Sequence, residues 1–228
     1  MSERCWLLRP GRVDYAVAWE MQRRTADARR AGRLTDDVLI LLEHPHVYTL
    51  GRRADESHVL VDKVGLRGLG ASLYRIERGG DVTYHGPGQL VGYPILDLRR
   101  RGADVHRYVR DLEEVIIRTL GDHGIVGARL PGHPGVWVGD EKIAAIGVNV
   151  ARWISSHGFA LNVDPDLSYF GHIVACGLHG RRVTSIARVV GRPVGLPEVV
   201  SRLVDHFAQV FDRELVEASW PEVLQTPP

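Results

Sequence analysis

Gly135-Val-Trp-Val-Gly-Asp-Glu-Lys-Ile-Ala-Ala-Ile-Gly-Val-Asn-Val150, taken up again by Phe159-Ala-Leu-Asn-Val163, is the stretch that decides the fold class. It holds three short strands in succession, Val136–Val138, Ile143–Val150 and Phe159–Val163, and Gly139-Asp140 between the first two is a strong hairpin signal. Working outward, Cys5–Leu8, Val38–Leu42, Val47–Leu50, Leu73–Ile76 and Leu90–Leu98 read as further strands. Pro94 places the last of these at a sheet edge or a bulge, because proline has no N–H for a ladder. Asp14–Arg30 reads as a helix with Asp14 as N-cap, Val17, Ala18 and Met21 as its apolar spacing and Gly32 as its stop. Asp104–Leu120 carries Val105, Tyr108, Val109, Leu112, Val115, Ile116 and Leu120 on one face, and Pro197–Phe211 opens on a proline. Residues 52–71 are charged and glycine-rich, which predicts a long loop. Strands gather between helices instead of alternating with them. That predicts an α/β (α+β) fold with mixed, largely antiparallel sheets flanked by helices. With no internal repeat and no linker, residues 1–228 are expected to form a single domain.

The chain has 228 residues and a formal net charge of +1. That size supports a substantial core, and the charge offers no bulk field for nucleic acid or a membrane surface. Arg99-Arg100-Arg101 reads first as a solvated turn and second as a patch for an acidic partner, for which Arg181-Arg182 is the other candidate. No apolar run approaches the ~20 residues of a membrane-spanning helix. The first residues lack the features of a secretory signal, and the two cysteines, Cys5 and Cys176, form no C-x-x-C. A cytoplasmic protein with reduced thiols is expected.

Three places carry chemistry. The run Arg78-Gly-Gly-Asp-Val-Thr-Tyr-His-Gly-Pro-Gly-Gln-Leu-Val-Gly-Tyr-Pro94 holds five glycines and two prolines. Glycine lets bare backbone approach a ligand, and Arg78, Thr83, Tyr84, His85 and Gln89 are the polar fingers of this loop. It has neither Walker spacing nor G-x-G-x-x-G, and its bland reading is a cluster of turns. Cys176 is either a small buried apolar residue or a nucleophile at a loop. Lys142 is either a solvated hairpin lysine or an amine buried for acid/base work beside a thiol. The histidines, His85 the most suspicious among them, show no H-x-x-x-H or H-E-x-x-H on a helix, so no metal is expected. Ser155 and Ser156 lack the G-x-S-x-G frame of a serine hydrolase.

Together these pieces resemble the lipoyl(octanoyl) transferase family. The resemblance rests on His46-Val-Tyr-Thr-Leu-Gly-Arg52, the run Arg78–Tyr93, Gly135-Val-Trp-Val138, Lys142-Ile-Ala-Ala-Ile-Gly147, His157-Gly-Phe-Ala-Leu-Asn-Val163 and Cys176-Gly177, in that order. Ala175 departs from the proline common before this cysteine, and residues 52–70 match only loosely. The resemblance implies a fold shared with biotin and lipoate protein ligases. It implies octanoyl transfer from acyl carrier protein to a lysine of lipoyl domains, those of 2-oxoacid dehydrogenase complexes and of the glycine cleavage H protein. It assigns Cys176 as the catalytic acyl-thioester nucleophile and Lys142 as the catalytic partner that lowers its pKa. Arg78, Gly79, Gly80, Asp81, Val82, Thr83, Tyr84 and His85 would form one substrate wall, and Ala145, Ile146 and Gly147 with Gly158, Phe159 and Ala160 the others. Thioester to thioester is about neutral and thioester to amide is downhill, so no ATP and no cofactor are implied. The alternatives are an ATP-dependent ligase of the same fold and a noncatalytic acyl-binding protein.

Overall fold

The computed structural model describes residues 3–174 and 182–225. The chain runs through β1 (Glu3–Arg12), α1 (Tyr15–Arg30), β2 (Asp37–Glu43), β3 (Val47–Leu50), α2 (Lys63–Gly68), β4 (Ser72–Arg75), β5 (Val82–His85) and β6 (Gln89–Ile95). It continues with α3 (Val105–Gly121), β7 (Ala128–Leu130), β8 (His133–Val138), β9 (Glu141–Ala151) and β10 (Ile154–Asn162). It closes with α4 (Ile186–Val190), α5 (Leu196–Phe211), β11 (Arg213–Glu217) and α6 (Trp220–Gln225). Eight strands make one sheet in the order β11-β1-β2-β6-β10-β9-β8-β7, and three make another, β4-β3-β5. In the large sheet β1 pairs parallel with β11 and β2, and every other pair is antiparallel. This is the mixed, largely antiparallel α/β arrangement expected from the clustering of strands.

Alternation along the strands separates two cores. Leu7, Leu39, Leu41, Leu90, Phe159 and Leu161 point to one face, where Leu112, Val115 and Ile116 of α3 and Leu203 and Phe207 of α5 cover them. Leu8, Ile40, Leu42, Val91, Tyr93 and Ala160 point to the other, against Ala18 and Met21 of α1. Asp14 does cap α1, its carboxylate accepting from the Ala16 N–H at 2.9 Å. Val17, expected in the apolar stripe, is exposed, and Gln22 and Thr25 are buried in its place. Asp37 binds distant elements together inside the protein: Oδ1 accepts from Arg29 Nη2 at 2.6 Å, and Oδ2 from Arg213 Nε at 3.1 Å.

Three expectations change. Residues 52–71 contain a helical turn at Glu56–His58 and the short α2, both started by aspartate side chains, Asp55 and Asp62. Residues 82–85 are a buried strand, not loop. The strand with Pro94 lies centrally, between β2 and β10, not at an edge. The sheet absorbs the missing N–H by a lapse in one ladder. Pairing of β6 with β10 runs from Gln89↔Asn162 to Gly92↔Phe159 and returns only at Asp97↔Ile154. Within the gap His157 has φ of 55° and gives its N–H to Gln22 Oε1 at 2.9 Å, while Ser155 Oγ donates to the Pro94 carbonyl at 2.9 Å.

Candidate active site

A cavity of about 510 Å³ runs along β9 and β10 and is lined from both helix layers, by Tyr15 of α1 and Val109 of α3, with β5 and the loop before it as a further wall. It follows β9 from Lys142 to Val148, about 20 Å at ~3.3 Å per residue. Val91, Ala145, Ile146, Val148, Phe159 and Ala160 give it apolar sides.

The loop Arg78–Asp81 closes one side. The Gly79 N–H donates to the Val148 carbonyl at 3.0 Å, which joins the loop to β9. Arg78 is buried and holds the loop from within. Its Nη2 donates to the Thr49 carbonyl at 2.6 Å and to Thr49 Oγ1 at 2.9 Å, and its Nη1 donates to the Gly79 carbonyl at 3.0 Å. Gly80 has φ of 88°, and a Cβ at Gly51 would stand 2.4 Å from the Gly80 carbonyl oxygen. Those two glycines are therefore required by geometry. Beyond the loop, the strand period divides the expected wall. Thr83 and His85 line the cavity. Val82 and Tyr84 turn away into a small core with Tyr48, Leu50, Leu66 and Ile173, and do not line it.

Lys142 reaches the cavity through an irregularity. In the β8/β9 hairpin Val136 pairs with Ala144, yet Trp137 pairs with Lys142, so Ile143 is one residue too many. Val136 and Ala144 face the α3/α5 core. A regular register would put Lys142 on that same face, and the bulge turns it to the cavity. Its Nζ donates to the Pro134 carbonyl at 3.2 Å and lies 4.8 Å from the Trp137 ring centroid. Its backbone is pinned on the other side by residues 182–184: Lys142 N–H donates to the Arg182 carbonyl and Thr184 N–H to the Lys142 carbonyl, both at 3.0 Å.

Uncharged imidazoles stand at the cavity wall, His85 and His157, and behind it, His44. Burial lowers His44 to about 4 and His85 and His157 to about 3. His44 Nδ1–H donates to the Val13 carbonyl at 2.7 Å, so its Nε2 accepts from the Tyr93 hydroxyl at 2.7 Å. His85 Nδ1–H donates to Gln89 Oε1 at 2.8 Å. The bonding continues inward: Gln89 Nε2 donates to Asn162 Oδ1 at 2.8 Å, and Asn162 Nδ2 to the Thr184 carbonyl at 2.9 Å. One hydrogen-bonded line thus links the cavity wall at His85 to the segment that holds Lys142. Tyr15 of α1 stacks on His85 with centroids 6.2 Å apart.

Of the residues selected from sequence, Lys142, Arg78, Gly79, Gly80, Asp81, Thr83, His85, Ala145, Ile146, Gly147, Gly158, Phe159 and Ala160 line this one cavity. Cys176 lies outside the described residues, as does Arg181. Tyr15, Arg53, Val91, Tyr93, His133, Pro134, Val148 and His157 also line it. Tyr93 was legible by alternation from Val91. Tyr15 sits on a distant helix and carries no local signal. Arg99–Arg101 are engaged within the chain: Arg99 pairs with Asp97, Arg100 with Glu3 and Arg101 with Asp111.

The fold is that of lipoate and biotin protein ligases. A lipoate-protein ligase A solved with ATP superposes with a TM-score of 0.74 at 18% identity, covering 99% of this chain and 93% of that one. A bipartite lipoate protein ligase from Thermoplasma acidophilum superposes with 0.71 at 17% identity, covering 99% and 91%. The biotin protein ligase of Aquifex aeolicus gives 0.54 at 12% identity, covering 92% and 70%. The chain belongs to the lipoyl protein ligase A/B catalytic domain family, which matches residues 14–208. Within that family it is 54% identical to an octanoyltransferase of Solibacter usitatus, over 93% of this chain and 95% of the relative. It is 53% identical to an octanoyltransferase of Gloeobacter violaceus, over 91% and 90%.

Proposed function

We propose that this protein is an octanoyltransferase of protein lipoylation, the whole chain acting as one catalytic domain. It moves an octanoyl group from acyl carrier protein to a lysine of a lipoyl domain. The observation that carries the reading is the apolar cavity with Lys142 turned into it by a bulge, in a chain more than half identical to named octanoyltransferases. The mechanism has two steps. In the first, the Cys176 thiol gives its proton to Lys142 Nζ and the thiolate attacks the octanoyl carbonyl. The new C–S bond forms, the bond to the carrier sulfur breaks, and Lys142 returns the proton to the departing thiolate. In the second, the acceptor amine attacks the acyl-enzyme, a C–N bond forms and Cys176 leaves as a thiolate. Lys142 takes the proton released by nitrogen. Backbone N–H groups of the glycine loop are the candidates to hold the oxyanion. Each buried CH₂ of the acyl chain contributes ~0.8 kcal/mol, so the apolar walls select for length. The reading places the enzyme in the cytoplasm, where free thiols stay reduced.

Intact mass spectrometry after mixing with octanoyl carrier protein, without ATP, tests this. An octanoyl adduct is expected on the wild type and none on Cys176→Ser, whose hydroxyl is a far weaker nucleophile without a strong base. Product formation that requires ATP would point to a ligase. Retention of full turnover by Cys176→Ser would remove the thioester from the mechanism.

A further inference from the structure

We propose that Asp81 receives the ammonium group of the acceptor lysine, an inference that rests on the transfer reading above. Among the described residues lining the cavity there are three basic side chains, Arg53, Arg78 and Lys142, and a single carboxylate, Asp81. One of its oxygens is engaged: Oδ2 accepts from His58 Nδ1 at 2.5 Å. The other, Oδ1, is buried and has no hydrogen-bond partner. A carboxylate oxygen enclosed by the protein needs a donor, and no protein group supplies one to this atom. Such an atom in a native structure calls for an explanation, and a ligand that completes its bonding is one.

The position is held firmly enough to serve. Gly51 N–H donates to the Asp81 carbonyl at 3.2 Å. His58 approaches from the turn Glu56–His58, and its own carbonyl accepts from Val174 N–H at 2.8 Å. The two substrates differ in what they can offer this oxygen. The donor presents a thioester, amides and a phosphodiester, with no cation. The acceptor presents a primary amine that is an ammonium ion in water. In a cavity whose other charged side chains are basic, this carboxylate is the group that draws that ion in and sets the direction of its approach. Asp81 binds and orients: the docked ammonium gives one proton to solvent to become the attacking amine, and the proton released as the C–N bond forms goes to Lys142.

The experiment separates the two substrates. Asp81→Asn is made in the full chain, with octanoyl carrier protein as donor and an unmodified lipoyl domain as acceptor. Loss of a charged hydrogen bond should raise the KM for the lipoyl domain by about tenfold or more. The donor KM and the rate of octanoyl-enzyme formation should stay within about twofold, because neither involves the ammonium. Asp81→Glu, which keeps the charge, should recover part of the acceptor KM. If Asp81→Asn does not fold, Asp81→Ser repeats the measurement. An equal rise in the donor KM, or slower octanoyl-enzyme formation, overturns the assignment by placing Asp81 on the donor side. An unchanged acceptor KM overturns it as well. If the wild type turns over without forming an octanoyl-enzyme, the thioester reading fails, and the acceptor KM under steady-state turnover still decides the role of Asp81.

Discussion

Lys142 shows how one side chain combines positive charge with a removable proton. It is buried, bonded through Nζ to the Pro134 carbonyl and placed over the Trp137 ring. Arginine would keep the charge but could not release a proton at working pH. Lys142→Arg should therefore lower kcat by about 10²–10⁴-fold, the usual weight of a positioned acid/base group. Near wild-type kcat with an unchanged thermal midpoint would limit Lys142 to electrostatics. The imidazoles give a residue-scale prediction about stability. His44, His85 and His157 have folded values near 4, 3 and 3, against 6.5 when free. The folded state favours their neutral forms, so their contribution is complete above pH 6.5. Below it the unfolded chain binds protons that the folded chain refuses, and stability falls as pH drops toward 4. Each histidine contributes a slope of up to ~1.4 kcal/mol per pH unit in that window. Denaturant unfolding between pH 7 and 4.5 measures it, and a flat profile would contradict the burial of these rings.

At the scale of elements, the contact between β6 and β10 depends on glycine more than on side-chain packing. A Cβ at Gly158 would lie 2.2 Å from the Gly92 carbonyl oxygen, and one at Gly92 would lie 2.2 Å from the Phe159 ring. At Gly92 the obstacle is a side chain, which can move. At Gly158 it is backbone, which cannot move without parting the strands. Gly158→Ala should therefore cost at least ~1–3 kcal/mol by overpacking and displace the cavity wall formed by Gly158–Ala160. Thermal unfolding together with kcat/KM for octanoyl transfer checks both halves. A variant that matched the wild type in stability would show that the strands can separate freely here. The β8/β9 bulge works at the same scale: one unmatched residue, Ile143, decides which face of the sheet receives Lys142.

For the molecule as a whole, the cavity is a space between two sheets, and its depth is set where they face each other. Ala160 lies on that surface, paired across strands with Ala145 and Val91. Ala160→Leu should shorten the acyl chain the enzyme accepts, reducing octanoyl transfer more than butanoyl transfer. Added methylenes at a packed wall cost ~1–3 kcal/mol, divided here between stability and substrate binding. Comparison of kcat/KM for the two donors decides the matter, and equal losses would make Ala160 part of the scaffold. The Asp37 group with Arg29 and Arg213 belongs to this scale too, since it joins α1, β2 and β11 across the chain.

Much of this protein can be read from local sequence. The strands at 136–163, the helices beginning at Asp14 and near Asp104, and the glycine loop after Arg78 all follow from periodicity, caps and backbone freedom. These properties act over a few residues, so a sequence displays them. Most residues selected for the site do line one cavity, because glycine-rich loops and small-residue strand faces are recognisable one segment at a time. What only the tertiary structure decided depends on which segments meet. Val82 and Tyr84 leave the wall because their strand pairs with β3 and alternates across it. Pro94 is tolerated in a central strand because the β6/β10 ladder lapses there, the His157 N–H going to Gln22 and the Pro94 carbonyl accepting from Ser155 Oγ. Lys142 faces the cavity because a hairpin slips by one residue. Tyr15 enters the site from a helix far away in sequence, and His85 is coupled to Lys142 through Gln89, Asn162 and Thr184. Register, bulges and long-range hydrogen bonds are settled by the balance of packing over the whole sheet, and no window of sequence contains that balance.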